Sequence, residues 1–364
     1  MENMVTQLIL ENTFKNKKVL VTGHTGFKGS WLCKILLMLG AEIKGIALEP
    51  TSPYGIFQSC MLEKHLHNTI VDIRNFENLS QEIESFQPDF VFHLAAQPLV
   101  RDSYNRPVYT YETNVIGTLH VLESIKKLEK KVDCVFITTD KVYLNKEWEI
   151  PYKETDRLGG HDPYSSSKAC MELLIDSYRN SFFHLDKYAQ HQKSIAVARA
   201  GNVIGGGDFS QDRLIPDIIK HYEEKKTLEI RFPNAVRPWQ HVLEPLFGYL
   251  TLAQKLVQDP IKFSTAYNFG PYPKDNYSVL QILNYVKEHI FKEFNFEISN
   301  SQNSHLHEAG LLTLDINKVI EELEWKPQFN FEQTLEYTFD WYKHFLSKSI
   351  SMNDFTEKQI RRFL

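Results

Sequence analysis

The chain has 364 residues and a formal net charge of −5, with 42% hydrophobic and 24% charged residues. These proportions are ordinary for a globular protein and leave room for one large α/β domain and a smaller one. The net negative charge argues against a broad nucleic-acid-binding surface. No apolar run approaches the roughly 20 residues that span a bilayer, and residues 1–16 are interpreted as a short extension without signal-peptide features.

The cysteines and histidines suggest no metal site. Four cysteines are scattered without a C-x-x-C pair, which indicates reduced thiols and a cytoplasmic protein. The pairs His65/His67 and His305/His307 have no obvious third ligand, and we therefore expect no bound metal ion.

A nucleotide-binding unit is predicted near the amino terminus. Residues 18–22 form an apolar, β-branched run that is typical of a buried parallel strand. Glycines follow in the spacing G-x-x-G-x-x-G, and residues 30–39 carry an apolar helical stripe that ends at Gly40, a left-handed cap. Because glycines let the backbone approach a pyrophosphate at a helix N-terminus, this context predicts a dinucleotide site. Its expected contacts are Gly23, Thr25, Gly26, Phe27 and Gly29.

Further cofactor contacts are expected where later strands end. Glu49 lies 20 residues after Gly29, where a carboxylate can bind the adenosine ribose and would repel a 2′-phosphate, so NAD is favoured over NADP. Asp72 and Ile73 end a strand predicted over residues 69–73, and Ala95 ends one over 90–95. Strands and helices alternate in this way through the first half of the chain, which predicts an α/β fold with a doubly wound parallel sheet of the Rossmann type.

The candidate catalytic residues fall in two short motifs. Thr139-Asp140-Lys141 follows a strand predicted over residues 132–139, at the carboxyl edge where such sheets bind ligands. Tyr164 and Lys168 are four residues apart and share a face if a helix begins after Pro163. A nearby ammonium favours the tyrosine phenolate, so this pair can move a hydride to or from a nicotinamide together with the Thr139 hydroxyl.

These motifs resemble those of the extended short-chain dehydrogenases/reductases, and within them the nucleotide-sugar 4,6-dehydratases of the CDP-glucose branch. The resemblance covers residues 17–325, most of the chain. The segments that carry it are 21–29, 93–101, 113–118, 139–141, 162–168, 199–208 and 237–245. The glycine turn and the Tyr164/Lys168 pair identify only the superfamily. Lys141 points to the CDP-glucose branch, since the dTDP-glucose and GDP-mannose branches usually carry Glu at that position.

The resemblance implies an NAD-dependent lyase that converts CDP-glucose to CDP-4-keto-6-deoxyglucose. Tyr164 would take the 4-hydroxyl proton as hydride leaves C4, while Thr139 binds the C4 oxygen. Asp140 would protonate the departing 6-hydroxyl as general acid, and the hydride would return to C6. Lys141 would be either the base that removes the C5 proton or a charged group that stabilises the enolate.

Candidate substrate-binding residues come from both halves of the chain. Asn202, Arg213 and Arg237 are candidates for the diphosphate, since an arginine fork matches phosphate oxygens, and the resemblance adds Gln97 and Arg101. We expect a nucleotide-binding domain over 17–204, rejoined near 235–270, a smaller and interleaved C-terminal substrate-binding domain over 205–350, and a tail over 351–364.

Two other functions fit parts of the pattern. A nucleotide-sugar epimerase or reductase needs Tyr164 and Lys168 but neither Asp140 nor Lys141. A non-catalytic NAD-binding regulator needs none of these four side chains. The resemblance also implies a homodimer or homotetramer, and a role in supplying deoxysugars for surface polysaccharides.

Overall fold

The computed structural model describes residues 2–299, 311–348 and 350–364. Its strands are β1 (Lys18–Thr22), β2 (Glu42–Ala47), β3 (His67–Ile70), β4 (Phe90–His93), β5 (Val132–Ile137), β6 (Lys193–Ala200), β7 (Val203–Ile204), β8 (Leu228–Ile230), β9 (Val236–Arg237), β10 (Gln240–His241), β11 (Ala266–Phe269), β12 (Tyr277–Ser278) and β13 (Phe296–Ile298).

Helices pack around these strands. They are α1 (Glu2–Phe14), α2 (Phe27–Met38), α3 (Ile56–Ser59), α4 (Phe76–Phe86), α5 (Val100–Asn105), α6 (Pro107–Tyr111), α7 (Gly117–Lys126), α8 (Pro163–Ser181), α9 (Tyr188–His191), α10 (Leu214–Glu223), α11 (Leu243–Gln258), α12 (Pro260–Phe263), α13 (Val279–Tyr285), α14 (Asn317–Leu323), α15 (Phe331–Ser347) and α16 (Met352–Phe363). The π-helical segments Glu112–Ile116 and Val286–Ile290 extend α6 and α13.

Seven strands form one parallel sheet in the order β11-β6-β5-β4-β1-β2-β3. The chain winds outward from β1 in one direction through β2 and β3, and in the other through β4, β5, β6 and β11. The carboxyl ends of β1 and β4 therefore flank a switch point, where doubly wound sheets bind their ligands. The predicted fold class is confirmed.

Two apolar cores cover the two faces of this sheet. Along β5, Val135 and Ile137 join the larger core, whereas Cys134 and Phe136 join the other. This alternation follows from the two-residue period of a strand. Burial on both faces explains why β5 reads as a continuous apolar run.

A smaller layer of structure lies above the carboxyl edge. The chain leaves the sheet after β6 and comes back for β11, and β12 and β13 follow β11. The smaller layer contains the short pairs β7/β10, β9/β12 and β8/β13. Residues 266–269 return to the sheet as β11, which pairs in parallel with β6. Within the described residues, no helix is long and apolar enough to cross a membrane.

Both chain ends are helical and packed, unlike the extension and tail expected from the sequence. Phe14 of α1 is buried and contacts Phe90 and Phe92 of β4. In α16, Phe355, Ile360 and Phe363 are buried, because they recur on one side of the helix. Their polar neighbours mask this pattern in the sequence. Lys34 of α2 also pairs with Glu357 of α16 at 2.6 Å.

Candidate active site

A cavity of about 970 Å³ lies between the carboxyl edge of the sheet and the smaller layer. Residues Thr139, Asp140, Lys141 and Tyr164 line its sheet side. Arg213 and Arg237 line its opposite side. The cavity therefore brings these six predicted catalytic and substrate-binding side chains together.

The glycine turn leaves room for a phosphate group beside the backbone. Gly23 has φ +78°, and a Cβ there would lie 2.8 Å from the Ala95 nitrogen. A Cβ on Gly29 would lie 2.1 Å from the Gly23 oxygen, whereas one on Gly26 would meet only that oxygen, at 3.4 Å. Gly26 caps α2 without a side-chain hydrogen bond, so the first N–H groups of α2 are available to an anion. These residues fit a dinucleotide pyrophosphate.

Neighbouring side chains anchor the turn to β3 and to the residue that follows β2. The Thr25 hydroxyl donates to the Leu48 carbonyl at 2.8 Å, and buried His24 shares a hydrogen bond with Asn68 at 2.7 Å. Glu49 follows Leu48 and is exposed. It thus stands at the same sheet edge as the glycine turn, where a ribose-binding carboxylate is expected.

Asp72, Ile73 and Ala95, which are predicted to contact the cofactor, each make contacts within the protein. Since β3 ends at Ile70, Asp72 lies in a turn where its carboxylate pairs with Arg74 at 2.7 Å. The Ile73 side chain is buried, and a Cβ on Gly117 would lie 2.4 Å from it. The Ala95 nitrogen donates to the Thr22 hydroxyl at 3.3 Å. The Asp72 carboxylate is engaged within the protein, which its sequence position does not reveal.

The tripeptide Thr139-Asp140-Lys141 forms a tight hydrogen-bonded cluster. β5 ends at Ile137, two residues before the predicted end of the strand, and Thr139 caps the 3₁₀ turn Asp140–Val142. Asp140 is fully buried, and its Oδ1 accepts hydrogen bonds from the Thr139 hydroxyl at 2.9 Å and the Lys141 ammonium at 3.1 Å. Its Oδ2 has no hydrogen-bond partner among the described residues. Lys141 also donates to Asn202 at 3.4 Å.

Tyr164 and Lys168 stand on the first turns of α8. Asp162 caps this helix by accepting from the Ser165 N–H at 2.9 Å, and Pro163 occupies its first position, as the sequence suggests. Burial raises the pKa of Tyr164 to about 12, although its hydrogen bond with Thr139 lowers it. Tyr164 faces the cavity at the Thr139 end, and a positive charge must lie beside it for its phenolate to form near neutral pH.

Lys168 lies behind Tyr164 in a buried position. Its ammonium donates to the Ile137 carbonyl at 3.1 Å. Burial and the nearby Lys28 ammonium lower the pKa of Lys168 to about 7, and the Glu172 carboxylate opposes this shift. Its charge is therefore sensitive to neighbouring groups.

The predicted substrate-binding residues divide into two groups. Arg101, Asn202, Arg213 and Arg237 all line the cavity. Arg101 pairs with Asp212, and Arg213 with Asp208, both at 3.0 Å.

Gln97, in contrast, turns into its own loop. Its side chain donates to the Leu99 carbonyl at 3.1 Å and to the Thr110 hydroxyl at 2.9 Å, and accepts from the Leu99 N–H. It is not among the side chains that line the cavity.

Lys28 is a cavity residue that the sequence analysis did not single out. It follows Phe27 in the glycine turn and lines the cavity with Asp140 and Lys141. Burial and the Arg213 guanidinium lower its pKa to about 8. A cation inside a phosphate-binding turn is the signal that could have identified it.

The part of the chain that the structure describes contains no candidate metal site. There, no group of three or more His, Cys, Asp or Glu side chains is arranged to hold an ion. The pair His305/His307 lies outside the described residues.

Comparison with known proteins decides the family. The model for GDP-mannose 4,6 dehydratase matches residues 20–338. The chain belongs to this dehydratase family. It is 45% identical to the CDP-glucose 4,6-dehydratase of Salmonella typhimurium strain LT2 over 336 residues, which cover 92% of this chain and 93% of the relative. It is 27% identical to the dTDP-glucose 4,6-dehydratase of Shigella flexneri, over 89% of this chain and 92% of that one.

A solved structure agrees with this family membership. UDP-glucuronic acid 4-epimerase from Bacillus cereus, in complex with UDP-glucuronic acid and NAD, matches with a TM-score of 0.74 at 25% identity. The match covers 90% of this chain and 99% of the epimerase. Dehydratases and epimerases therefore share this architecture, and the side chains of the cavity must distinguish them.

Proposed function

We propose that this chain is an NAD-dependent nucleotide-sugar 4,6-dehydratase that converts CDP-glucose to CDP-4-keto-6-deoxyglucose and water. The observation that carries the proposal is the buried Asp140, which lines the cavity with Lys141 and Tyr164 and is hydrogen-bonded to Lys141 through Oδ1, while its Oδ2 has no partner among the described residues. An epimerase has no use for this acid. The 45% identity to a CDP-glucose 4,6-dehydratase over nearly the whole of both chains supports the choice of substrate.

Tyr164 performs the first proton transfer. The Gly23–Gly29 turn would hold NAD, which would supply the hydride acceptor for oxidation at C4 and the hydride donor for C6. Tyr164 takes the 4-hydroxyl proton, and the Thr139 hydroxyl turns from Asp140 Oδ1 to donate a hydrogen bond to the C4 oxygen. The Lys168 ammonium stabilises the phenolate from behind.

The Asp140/Lys141 pair performs the elimination. Their hydrogen bond at 3.1 Å allows two arrangements, ammonium with carboxylate or amine with carboxylic acid. In the second arrangement, Lys141 accepts the C5 proton while Asp140 donates to the leaving 6-hydroxyl. Both groups are then ready for a syn or stepwise loss of water, and Lys141 can return the proton to C5.

Four cavity residues are suited to the sugar nucleotide. Arg101, Arg213 and Arg237 can bind diphosphate oxygens through charge-assisted hydrogen bonds. Asn202 contacts Lys141, so it joins the phosphate region to the reacting sugar. The acidic partners Asp208 and Asp212 hold two of these arginines in place.

The test is product analysis after incubation of the purified protein with CDP-glucose and NAD. We expect loss of one water from the substrate, a 4-keto product and no net NADH. Conversion to CDP-galactose without loss of water would make the protein an epimerase. No turnover of CDP-glucose, with turnover of another nucleotide glucose, would overturn the substrate assignment alone.

The proposal includes an oligomer formed through α8. Three large apolar side chains on neighbouring helical segments are exposed: Val108 at 69%, Ile116 at 42% and Leu173 at 59%. Contact with a second copy would cover them. Sedimentation of the Leu173→Asp variant tests this, because a homodimer or homotetramer built on this face would dissociate.

We also propose a cytoplasmic location and a role in deoxysugar supply for surface polysaccharides. The four cysteines are unpaired and three are buried, in keeping with a reducing compartment. The 4-keto group of the product is a site for later reduction or amination.

A further inference from the structure

A chain of buried polar side chains lies next to the catalytic tripeptide and has no assigned role. Glu172 is on α8, one helical turn beyond Lys168. Arg199 is near the end of β6, three residues before Asn202, and Thr138 immediately precedes Thr139. These three residues thus belong to the segments that carry the proposed catalytic groups.

Their contacts are direct and strongly directional. The Thr138 hydroxyl donates to Glu172 Oε1 at 2.6 Å. Arg199 Nε donates to both Glu172 carboxylate oxygens at 2.9 Å, and its Nη2 also donates to Oε2. Thr138 is 3% exposed, and Glu172 and Arg199 are each 4% exposed, so water screens these interactions little.

Arg199 also connects this series of hydrogen bonds to β11. Its Nη1 donates to the Tyr143 hydroxyl at 2.7 Å and to the Glu154 carbonyl at 3.1 Å. Tyr143 donates in turn to Asn268 Oδ1 at 2.7 Å. Burial raises the pKa of Tyr143, so its hydroxyl remains a donor. Five segments are thereby joined around one guanidinium.

Stability alone is a weak reason for such an arrangement. A buried ion pair is often no more stabilising than well-packed apolar side chains of similar volume, and α8 already packs on β5 through Met171, Ile175, Cys134 and Phe136. Apolar contacts permit small displacements, whereas a forked guanidinium–carboxylate contact fixes both distance and orientation. Small displacements of reacting groups reduce rates strongly.

We propose that Glu172 and Arg199 are positioning residues that hold Thr139 and Asp140 in fixed geometry relative to Tyr164 and Lys168. Thr138 transmits this constraint to the tripeptide. The inference rests on the proposed dehydratase function and deepens it. Glu172 and Arg199 are not among the residues that line the cavity; Thr138 is, but its hydroxyl donates to Glu172.

The chain provides a matched control at the opposite ends of the same strands. Ser194 at the start of β6 donates to Asp133 at the start of β5, at 2.6 Å, and both side chains are buried. Thr138→Val and Ser194→Ala each delete one hydroxyl donor to a buried carboxylate. Only the first variant affects the catalytic edge.

The experiment compares Thr138→Val, Glu172→Gln and Ser194→Ala with the wild type as NAD-loaded enzymes. We would measure kcat and KM for CDP-glucose, the folded fraction, and transient NADH absorbance. We expect kcat to fall about 10- to 100-fold in the first two variants, with KM within about threefold of wild type. Ser194→Ala should keep kcat within about twofold, because a purely structural loss does not slow folded enzyme.

Equal kcat values for Thr138→Val and Ser194→Ala, corrected for the folded fraction, would overturn the inference. If Glu172→Gln does not fold, Thr138→Val decides, since it leaves the Glu172–Arg199 pair intact. An inactive wild type would overturn the proposed function and this inference with it. Active wild type with unimpaired Thr138→Val would overturn the inference alone.

Discussion

The two carboxylate oxygens of Asp140 differ in their hydrogen bonding. It is fully buried, yet only Oδ1 is hydrogen-bonded within the described part of the chain, to Thr139 and Lys141. An unpaired buried oxygen costs free energy. A substrate hydroxyl at the cavity wall would supply the missing partner, in keeping with the proposed role of Asp140 as proton donor to the leaving 6-hydroxyl.

Asp140→Asn should separate oxidation from elimination. The amide keeps the size and one acceptor of the carboxyl group but cannot transfer the proton. We expect kcat to fall about 10²- to 10⁴-fold, with NADH accumulating during turnover because Tyr164 still promotes oxidation at C4. Stopped-flow absorbance measures this. Asp133→Asn, the same change at a buried aspartate at the start of β5, is the control, and wild-type turnover by Asp140→Asn would refute the role.

Lys141→Arg tests whether this lysine acts as a base or only as a charge. A guanidinium keeps the positive charge but does not deprotonate in proteins. We expect Lys141→Arg to lose activity as completely as Lys141→Met, by about 10²-fold or more. Solvent-deuterium incorporation at C5, followed by mass spectrometry, should be lost in parallel. Substantial activity in Lys141→Arg alone would instead assign Lys141 to charge stabilisation of the enolate.

At the scale of elements, two glycines in the turn between β1 and α2 are expected to serve different purposes, Gly26 in cofactor binding and Gly29 in folding. Gly29→Ala would place a Cβ 2.1 Å from the Gly23 oxygen and should destabilise the apoprotein, whereas Gly26→Ala would meet that oxygen only at 3.4 Å. We expect Gly26→Ala to weaken NAD binding about tenfold or more without lowering the Tm of the apoprotein, because the methyl group occupies space needed by a phosphate.

Fluorescence titration with NAD and thermal unfolding without NAD provide the two readings for this turn. Equal losses of Tm in Gly26→Ala and Gly29→Ala would show that both glycines serve only the fold. Unchanged NAD affinity in Gly26→Ala would remove Gly26 from the cofactor site.

The C-terminal helix α16 is an integral element. Phe355 is 3% exposed within the main core, so Phe355→Ala should lower the free energy of unfolding by about 3–5 kcal/mol. Urea denaturation measures this change. Lys358→Ala, on the exposed side of the same helix, should alter stability by less than about 0.5 kcal/mol. A small effect of Phe355→Ala would mean that α16 is only loosely attached.

At the scale of the whole molecule, the sequence predicts those features that depend on residues close together in the chain. The β1–turn–α2 unit and the capped start of α8 follow from short-range signals, and the parallel sheet follows from alternating strands and helices. Strand ends then bring Thr139, Asp140 and Lys141 near Tyr164, since all face the carboxyl edge.

Contacts between distant segments could not be predicted in this way. Glu172 and Arg199 are 27 residues apart, and each looks like a surface charge in the sequence. Gln97 turns into its loop because Thr110 is there to accept its hydrogen bond. The burial of the few apolar residues of α16 could not be predicted, because it depends on contacts of this helix with Lys34 and the main core.

Glu244 makes the stability of the whole fold depend on pH. It lies at the start of α11, is 2% exposed, and accepts from the Gln328 and Phe329 N–H groups at 2.8 and 2.6 Å. Burial raises its pKa from 4.5 to about 7, although these two hydrogen bonds lower it. The folded state therefore keeps a proton that the unfolded chain releases, and this contribution to stability declines as pH rises from about 4.5 to about 7.

Glu244→Gln should remove this dependence, because the amide keeps an acceptor oxygen and does not titrate. The unfolding free energy of the wild type, relative to Glu244→Gln, should fall by on the order of 3 kcal/mol between about pH 4.5 and pH 7. Urea denaturation of both proteins across this range measures the difference and cancels the titration of other buried groups. Glu321→Gln, at an exposed position on α14, is the control. Parallel curves for wild type and Glu244→Gln would show that Glu244 titrates normally in the fold.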